Sequence, residues 1–371
     1  MDYTVELAEN TELLAFDGTI RKIESLAVGN LLRGPDSLPR QVLSIQKQHG
    51  QLYKVCQNKL EDYIVYKNHC IALRKDDSAY TPKRLMPSGN FRSPYGMYPK
   101  YEKFIKIPVL DFVTKSNGFK HYFHGYRTGF IDFPNQNVCI DPYFLGVWLG
   151  DGTSSETAIT TMDPEIVNYI YSMLKLHPEL YIRITKNHSY NPSKENKSKT
   201  YHLVVRSTKG IAQGMSNTLR RLFRQQNLLN NKHIPQQYIS NTEEVRLSLL
   251  AGLLDTDGTV VTGGYDITQK NEKLINQIKL LADTLGFRAI KREIYKTCQT
   301  GKTGKYFDLS INGEVWKIPC KVPRKIILKE NIHKNKNFLI NGLKIRNAGV
   351  GAYFILITNN PYILLKDGTV L

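Results

Sequence analysis

Two carboxylates at matching places in a repeated motif are the residues of this chain best suited to chemistry. Leu250-Ala251-Gly252-Leu253-Leu254-Asp255-Thr256-Asp257-Gly258 puts apolar residues at helical spacing, with two small residues among them, and ends on two acids and a glycine. Small residues on an apolar helix face let two backbones approach closely, and a glycine just past the last turn favours a stop. An acid at that end faces the negative pole of the helix dipole, so a bound cation is the simplest compensating group. A second copy lies upstream, Phe144-Leu145-Gly146-Val147-Trp148-Leu149-Gly150-Asp151-Gly152, with Leu149 where Asp255 stands. The shared acids are therefore Asp151 and Asp257, about 106 residues apart. One such stretch alone reads equally well as a buried helix with a polar cap; the repetition argues for chemistry. If the two helices pack across their Gly and Ala faces, both acids emerge together. They then repel unless a cation lies between them, and hard ions such as Mg²⁺ favour such oxygen ligands.

The net charge indicates what such a site would meet. Lys and Arg outnumber Asp and Glu 51 to 33, giving +18. A chain this basic suits a polyanion, because neutralising phosphates releases condensed counterions. A divalent ion beside a phosphodiester polarises the phosphate, activates water and neutralises the leaving oxygen. The 371 residues allow two or three domains, and a hydrophobic content of 41% is ordinary for a globular chain. No apolar run approaches bilayer length, and the N-terminus lacks a signal peptide's basic start and apolar stretch. Five scattered cysteines form no CxxC pair, which argues against a zinc ribbon or a disulfide framework. These features predict an intracellular protein, nuclear if its source is eukaryotic.

Residues 5 to about 75 read as short strands, with Asp17-Gly18 as a hairpin turn and Arg33-Gly34-Pro35-Asp36 as a second break. His69 falls among strand residues and reads on chemistry alone as a structural histidine. Residues 76–135 interleave aromatics with positive charge, including Lys83, Arg84 and Arg92, and suit either DNA contact or a solvated linker. Residues 141 to about 220 and 232 to about 325 then share one order: motif helix, strand, amphipathic helix and a basic hairpin. Lys186, Lys194, Lys197 and Lys199 mark the first hairpin. Arg288, Lys291, Arg292, Lys296, Lys302 and Lys305 mark the second. Two-stranded ribbons fit the major groove, so these are the expected DNA contacts.

Both ends of the chain resemble a Hint domain, the self-splicing module of inteins. The resemblance rests on Leu7-Ala8-Glu9-Asn10-Thr11, Asp17-Gly18, Val28-Gly29-Asn30 and the closing stretches around 353–358 and 362–371. Its splicing positions are degenerate. Glu6 replaces the Cys or Ser nucleophile, Tyr66 the Thr or Asn before the block histidine His69, and Pro361 the late histidine; a terminal His-Asn is missing. The two motifs resemble the LAGLIDADG homing endonucleases, in the double-motif branch related to vacuolar-ATPase intein nucleases and mating-type switching nucleases. The implied fold is α+β: an all-β Hint-like domain from 1–135 and 331–371, with a basic insertion at about 76–135, enclosing a pseudo-twofold αββαββα endonuclease domain at 136–330. The implied activity is hydrolysis of both strands of a long asymmetric DNA site by a monomer using Mg²⁺ or Mn²⁺. Asp151 and Asp257 would be the catalytic metal ligands, with the Gly150 and Thr256 carbonyls as possible further ligands. Lys232, in Lys232-His233-Ile234-Pro235, matches the family's K-x-I-P block, and Lys321 is the corresponding candidate in the other half. The alternatives are a catalytically silent nucleic-acid-binding or maturase-like protein, and an intein that still splices but carries altered ends.

Overall fold

The computed structural model describes residues 3–76, 84–85, 91–92, 103–175, 180–186, 199–205, 218–297, 303–331 and 337–371, with 84–85, 91–92, 186 and 199–205 described by backbone alone. The chain forms two compact units, one from residues 1–131 and 334–371, the other from residues 132–333.

In the first unit the two ends of the chain share a sheet. Tyr3–Ala8 runs antiparallel to Leu343–Thr358, which pairs on its other side with the 19-residue strand Pro39–Gln57. Tyr63–Tyr66 joins Pro39–Gln57 to Tyr3–Ala8, so these four strands close a ring. The Asp17-Gly18 hairpin is present between Glu12–Leu14 and Ile20–Lys22, with Gly18 at φ +82° where a turn needs the left-handed region. Its interior holds Leu7, Leu13, Val42, Val55, Val65, Leu73 and Leu356. Pattern reading missed the segment 103–126. It is a strand, Phe104–Pro108, two short helices and a strand, Phe123–Tyr126, whose Phe112, Phe119 and Phe123 are buried. His69 lies in the turn before Cys70–Lys75 rather than within a strand.

The second unit contains the repeat. The first motif helix is Pro142–Asp151, capped by the Asp141 carboxylate, which accepts from Phe144 N–H at 2.8 Å, with Pro142 in the first turn. It leads to a sheet in the order 158–161, 199–205, 180–186. Helix Pro164–Leu174 covers the sheet with Ile166, Ile170 and Met173. The second motif helix is Glu243–Asp257, seven residues longer at its start than the motif itself. It leads to a four-stranded sheet, 258–261, 264–269, 303–312, 288–297, whose last three strands repeat that order, covered by helix Glu272–Thr284. Gly286, at φ +86°, ends that helix in the left-handed region. Trp148, Phe144, Leu250, Leu253, Ile278 and Leu309 belong to one continuous core.

Candidate functional site

The motif helices cross at glycines. A Cβ on Gly146 would stand 2.2 Å from the Leu249 carbonyl oxygen, and one on Gly252 would stand 2.2 Å from that of Tyr143. Only hydrogen allows this approach, and it brings the two helix ends together. A Cβ on Gly150 would meet the Thr256 hydroxyl at 2.1 Å and an Asp257 carboxylate oxygen at 3.4 Å. Gly152 and Gly258 end their helices differently from expectation. Both are extended, at φ −77° and −73°, and need no left-handed conformation. Glycine is required there because a side chain would strike the preceding turn, 2.4 Å from the Trp148 oxygen and 2.6 Å from the Leu254 oxygen.

The three acids have separate environments. Asp255 is fully buried. Its carboxylate accepts from the Tyr143 hydroxyl at 2.6 Å, Lys321 N–H at 2.7 Å and Val322 N–H at 3.3 Å, tying the two repeats together. Asp257 is half-buried and accepts from the Gln269 side-chain amide. Burial pushes its carboxyl up, opposed by the Gln269 bond and by the charges of Lys232 and Lys325. Asp151 lies at the exposed rim. Its carboxyl is still pushed up to about 6, first by desolvation at the crowded helix ends and then by the Asp257 charge. An acid whose ionisation is opposed by its neighbour's charge leaves a place for positive charge.

Two lysines approach that place. Lys232 donates to the Gly150 carbonyl at 3.0 Å, and its ammonium stands 5.3 Å from the Trp148 ring centre. Its segment is fixed by two bonds between Gln277 and the Ile234 backbone and by Asn271 donating to the Lys232 carbonyl. Burial lowers the Lys232 ammonium while both acids act against that shift. On the other side the residue is Lys325, not Lys321. Lys325 donates to the Gly258 carbonyl, and its charge acts on both Asp151 and Asp257. The Lys321 ammonium instead lies over the rings of Tyr143 and Tyr169, at 4.8 and 4.6 Å, because its backbone N–H is committed to Asp255. Sequence reading missed Lys325 because Lys321, Arg324 and Lys325 form one basic run. It missed Gln269 because its counterpart in the first repeat is Thr161, whose buried hydroxyl accepts Asp163 N–H.

No cluster of three His, Cys, Asp or Glu side chains with metal-site geometry occurs among the described residues. A cation here would rest on the two carboxylates, the Gly150 and Thr256 carbonyls and water. That all-oxygen set suits Mg²⁺, which binds through one or two carboxylates and retains waters.

The expected DNA contacts divide. Side chains of a strand alternate between faces. On the core face of the second sheet, Lys291 is held by Glu272 at 3.1 Å and Asn276 at 2.6 Å, and Lys305 by Glu293 at 2.7 Å. Arg288 is buried. Lys291 and Lys305 thus have partners within the protein, with Lys305 still exposed, and Arg288 is withdrawn from the surface. Arg292 and Lys296 are exposed on the opposite face. In the first repeat Lys186 and Lys199 are cross-strand partners, and Arg84 pairs with Arg92 in the first unit. Lys83, Lys194, Lys197 and Lys302 lie outside the described residues.

The residues expected at splicing positions, Glu6, Tyr66, His69 and Pro361, lie within the first unit. His69 is buried, and its Nδ1 accepts the Glu6 backbone N–H at 3.2 Å. Burial, then Lys106, pushes the imidazole down to about 3, so His69 is neutral. Burial raises the Glu6 carboxyl. Tyr66 stacks on Tyr353 at 4.2 Å, and the Pro361 carbonyl accepts from Arg40 at 2.8 Å.

Residues 244–334 match the family described as LAGLIDADG-like domain. The chain is 35% identical over 159 residues to a replicative DNA helicase DnaB of Mycobacterium intracellulare, a match covering 43% of this chain and 21% of that protein. It is 29% identical over 124 residues to a DNA polymerase of Methanocaldococcus jannaschii, covering 32% and 8%. The matched segment is thus about a fifth or less of these relatives' length. Among solved structures, the homing endonuclease I-DmoI aligns at TM-score 0.32 and 16% identity over 47% of this chain and 89% of its own. The gp41-1 intein aligns at 0.17 and 14% over 28% and 80%. The residues that match the family run from the second motif helix through its sheet and include Lys325.

Proposed function

We propose that residues 132–333 form a site-specific endonuclease that hydrolyses both strands of a long DNA duplex with a divalent cation, Mg²⁺ or Mn²⁺. The observation that carries this reading is the delivery of Asp151 and Asp257 to adjoining helix ends by a glycine crossing, with Lys232 and Lys325 beside them. The cation would polarise the phosphate and lower the pKa of a bound water. The protein's own groups supply the rest. Asp151 and Asp257 hold the positive charge in place. Lys232 and Lys325, fixed on backbone carbonyls, face the charge that develops on the phosphorane and the leaving oxygen. Gln269 fixes the rotamer of Asp257. One acid per repeat assigns one strand to each half, and a single chain then suffices as a monomer. Arg292, Lys296 and the first hairpin would lie along the duplex.

We read the first unit as a Hint-like scaffold that has lost splicing. Glu6 occupies the nucleophile position, and a carboxylate cannot make the N-to-S or N-to-O acyl shift. The test is incubation of the full chain with a randomised DNA library and Mg²⁺, followed by sequencing of broken ends. Paired breaks at one long site are expected from the wild type and none from Asp257→Asn or Asp151→Asn. Equal cutting by either variant would overturn the mechanism.

A further inference from the structure

We propose that Asp308 reads a base in the DNA major groove, accepting a hydrogen bond from an exocyclic amino group, N4 of cytosine or N6 of adenine. This rests on the nuclease reading above and names a determinant of its target. Asp308 lies on the strand Thr303–Asn312, in register with Thr268 on one side and Arg292 on the other. Its neighbours in sequence, Phe307 and Leu309, point into the core, so Asp308 points to the opposite face with Arg292, Lys296, Thr268 and Ser310. Around Asp308 that face is half-buried to exposed, and the sheet continues to the strand that begins directly after Asp257.

The carboxylate is oriented but not neutralised. Thr268 donates its hydroxyl proton to Asp308 Oδ1 at 2.9 Å, and Lys296 donates to the same hydroxyl oxygen at 3.1 Å. The three side chains form a fixed relay. Among the described residues no ion pair joins Arg292 to Asp308, although they are cross-strand partners, and Oδ2 accepts no hydrogen bond. A carboxylate on a DNA-facing surface is repelled by phosphates, so it must meet a donor. In the major groove the donors on base edges are the amino groups of cytosine and adenine; guanine N7 and O6 and thymine O4 are acceptors that would repel it. Arg292 beside it suits guanine N7 and O6, so the two side chains together match a G·C pair or adjacent pairs. Because Thr268 holds the carboxylate in place beforehand, little rotamer freedom is lost on binding.

The experiment selects bound duplexes from a randomised library in EDTA, comparing wild type, Asp308→Ala and Asp308→Asn, each checked for an unchanged melting transition. Wild type should enrich cytosine or adenine at one position on one strand. Asp308→Ala should lose that preference by about tenfold to a hundredfold and keep the other positions. Asp308→Asn retains an acceptor for Thr268 and should shift the position towards adenine, which an amide contacts through N6 and N7. A duplex with 2-pyrimidinone for that cytosine, or purine for that adenine, should weaken wild type about tenfold and Asp308→Ala not at all. An unchanged base profile in Asp308→Ala, or loss of a guanine or thymine preference, overturns the assignment while leaving the nuclease reading intact. A wild type that neither selects nor cuts any duplex overturns both.

Discussion

Replacing Gly252 by alanine tests the crossing that brings the acids together. The new methyl would stand 2.2 Å from the Tyr143 oxygen, 2.8 Å from Val147 N and 3.1 Å from Gly146 C, all backbone atoms that cannot rotate aside. Ordinary carbon–oxygen contact requires roughly 1 Å more, so the helices must part by about that amount. Overpacking of this kind costs about 3 kcal/mol at the upper end of its usual range. Alanine's better helix propensity returns about 1 kcal/mol. The net expectation is a loss of about 2 kcal/mol. The assay is urea unfolding followed by tryptophan fluorescence. Both tryptophans, Trp148 and Trp316, lie in the second unit, so the signal reports that unit. The midpoint should fall at an unchanged m-value. Gly150→Ala is the comparison. Its methyl would first strike the Thr256 side chain at 2.1 Å, and removing that hydroxyl in Gly150→Ala/Thr256→Ala should recover part of the loss. A Gly252→Ala chain as stable as wild type would refute the close crossing.

Other consequences are direct. Asp255→Asn places its amide NH2 against either the Val322 N–H or the Lys321 N–H and Tyr143 hydroxyl in a fully buried site, and should cost about 1–3 kcal/mol in the same urea assay. Asp257→Asn should leave the midpoint nearly unchanged or raise it, and abolish paired breaks in the cleavage assay. Lys325→Met should slow cutting by roughly 10²- to 10³-fold, as for a lost charge-stabilising group, whereas Lys321→Met should act mainly on stability; cleavage rates on the selected site separate the two. The Asp151 carboxyl is raised from 3.8 to about 6 in the folded chain, so between those values the folded state binds more protons than the unfolded one. Its contribution therefore falls as pH rises from about 4 to about 6, and melting in EDTA should show a decline that Asp151→Asn removes. Mg²⁺ should restore stability above about pH 6 in wild type but not in that variant.

How much the sequence determined differs from element to element. Periodicity and turn chemistry located the Asp17-Gly18 hairpin, the helices at 164–174 and 272–284, and the order shared by the repeats, because those signals are local. Comparing the two motifs also set Asp257 apart from Asp255, and in the structure Asp255 is buried on hydrogen-bond donors while Asp257 adjoins the end of the first motif helix at Gly150. The segment 103–126 was not legible, because its short helices and strands are fixed by Phe112, Phe119 and Phe123 packing into a core built by distant strands. Nor could the sequence choose Lys325 over Lys321. Four residues separate them, and the choice follows from Asp255 claiming the Lys321 backbone and sending its side chain onto Tyr143 and Tyr169. The hairpin cations likewise read as one basic class. Strand alternation and the carboxylates of Glu272 and Glu293 set Lys291 and Lys305 apart from Arg292 and Lys296, which stand on the opposite face of the sheet. The sequence by itself determined which residue types recur and at what spacing. Which of several similar side chains reaches the paired acids was decided by tertiary structure, because that depends on bonds between residues far apart in the chain.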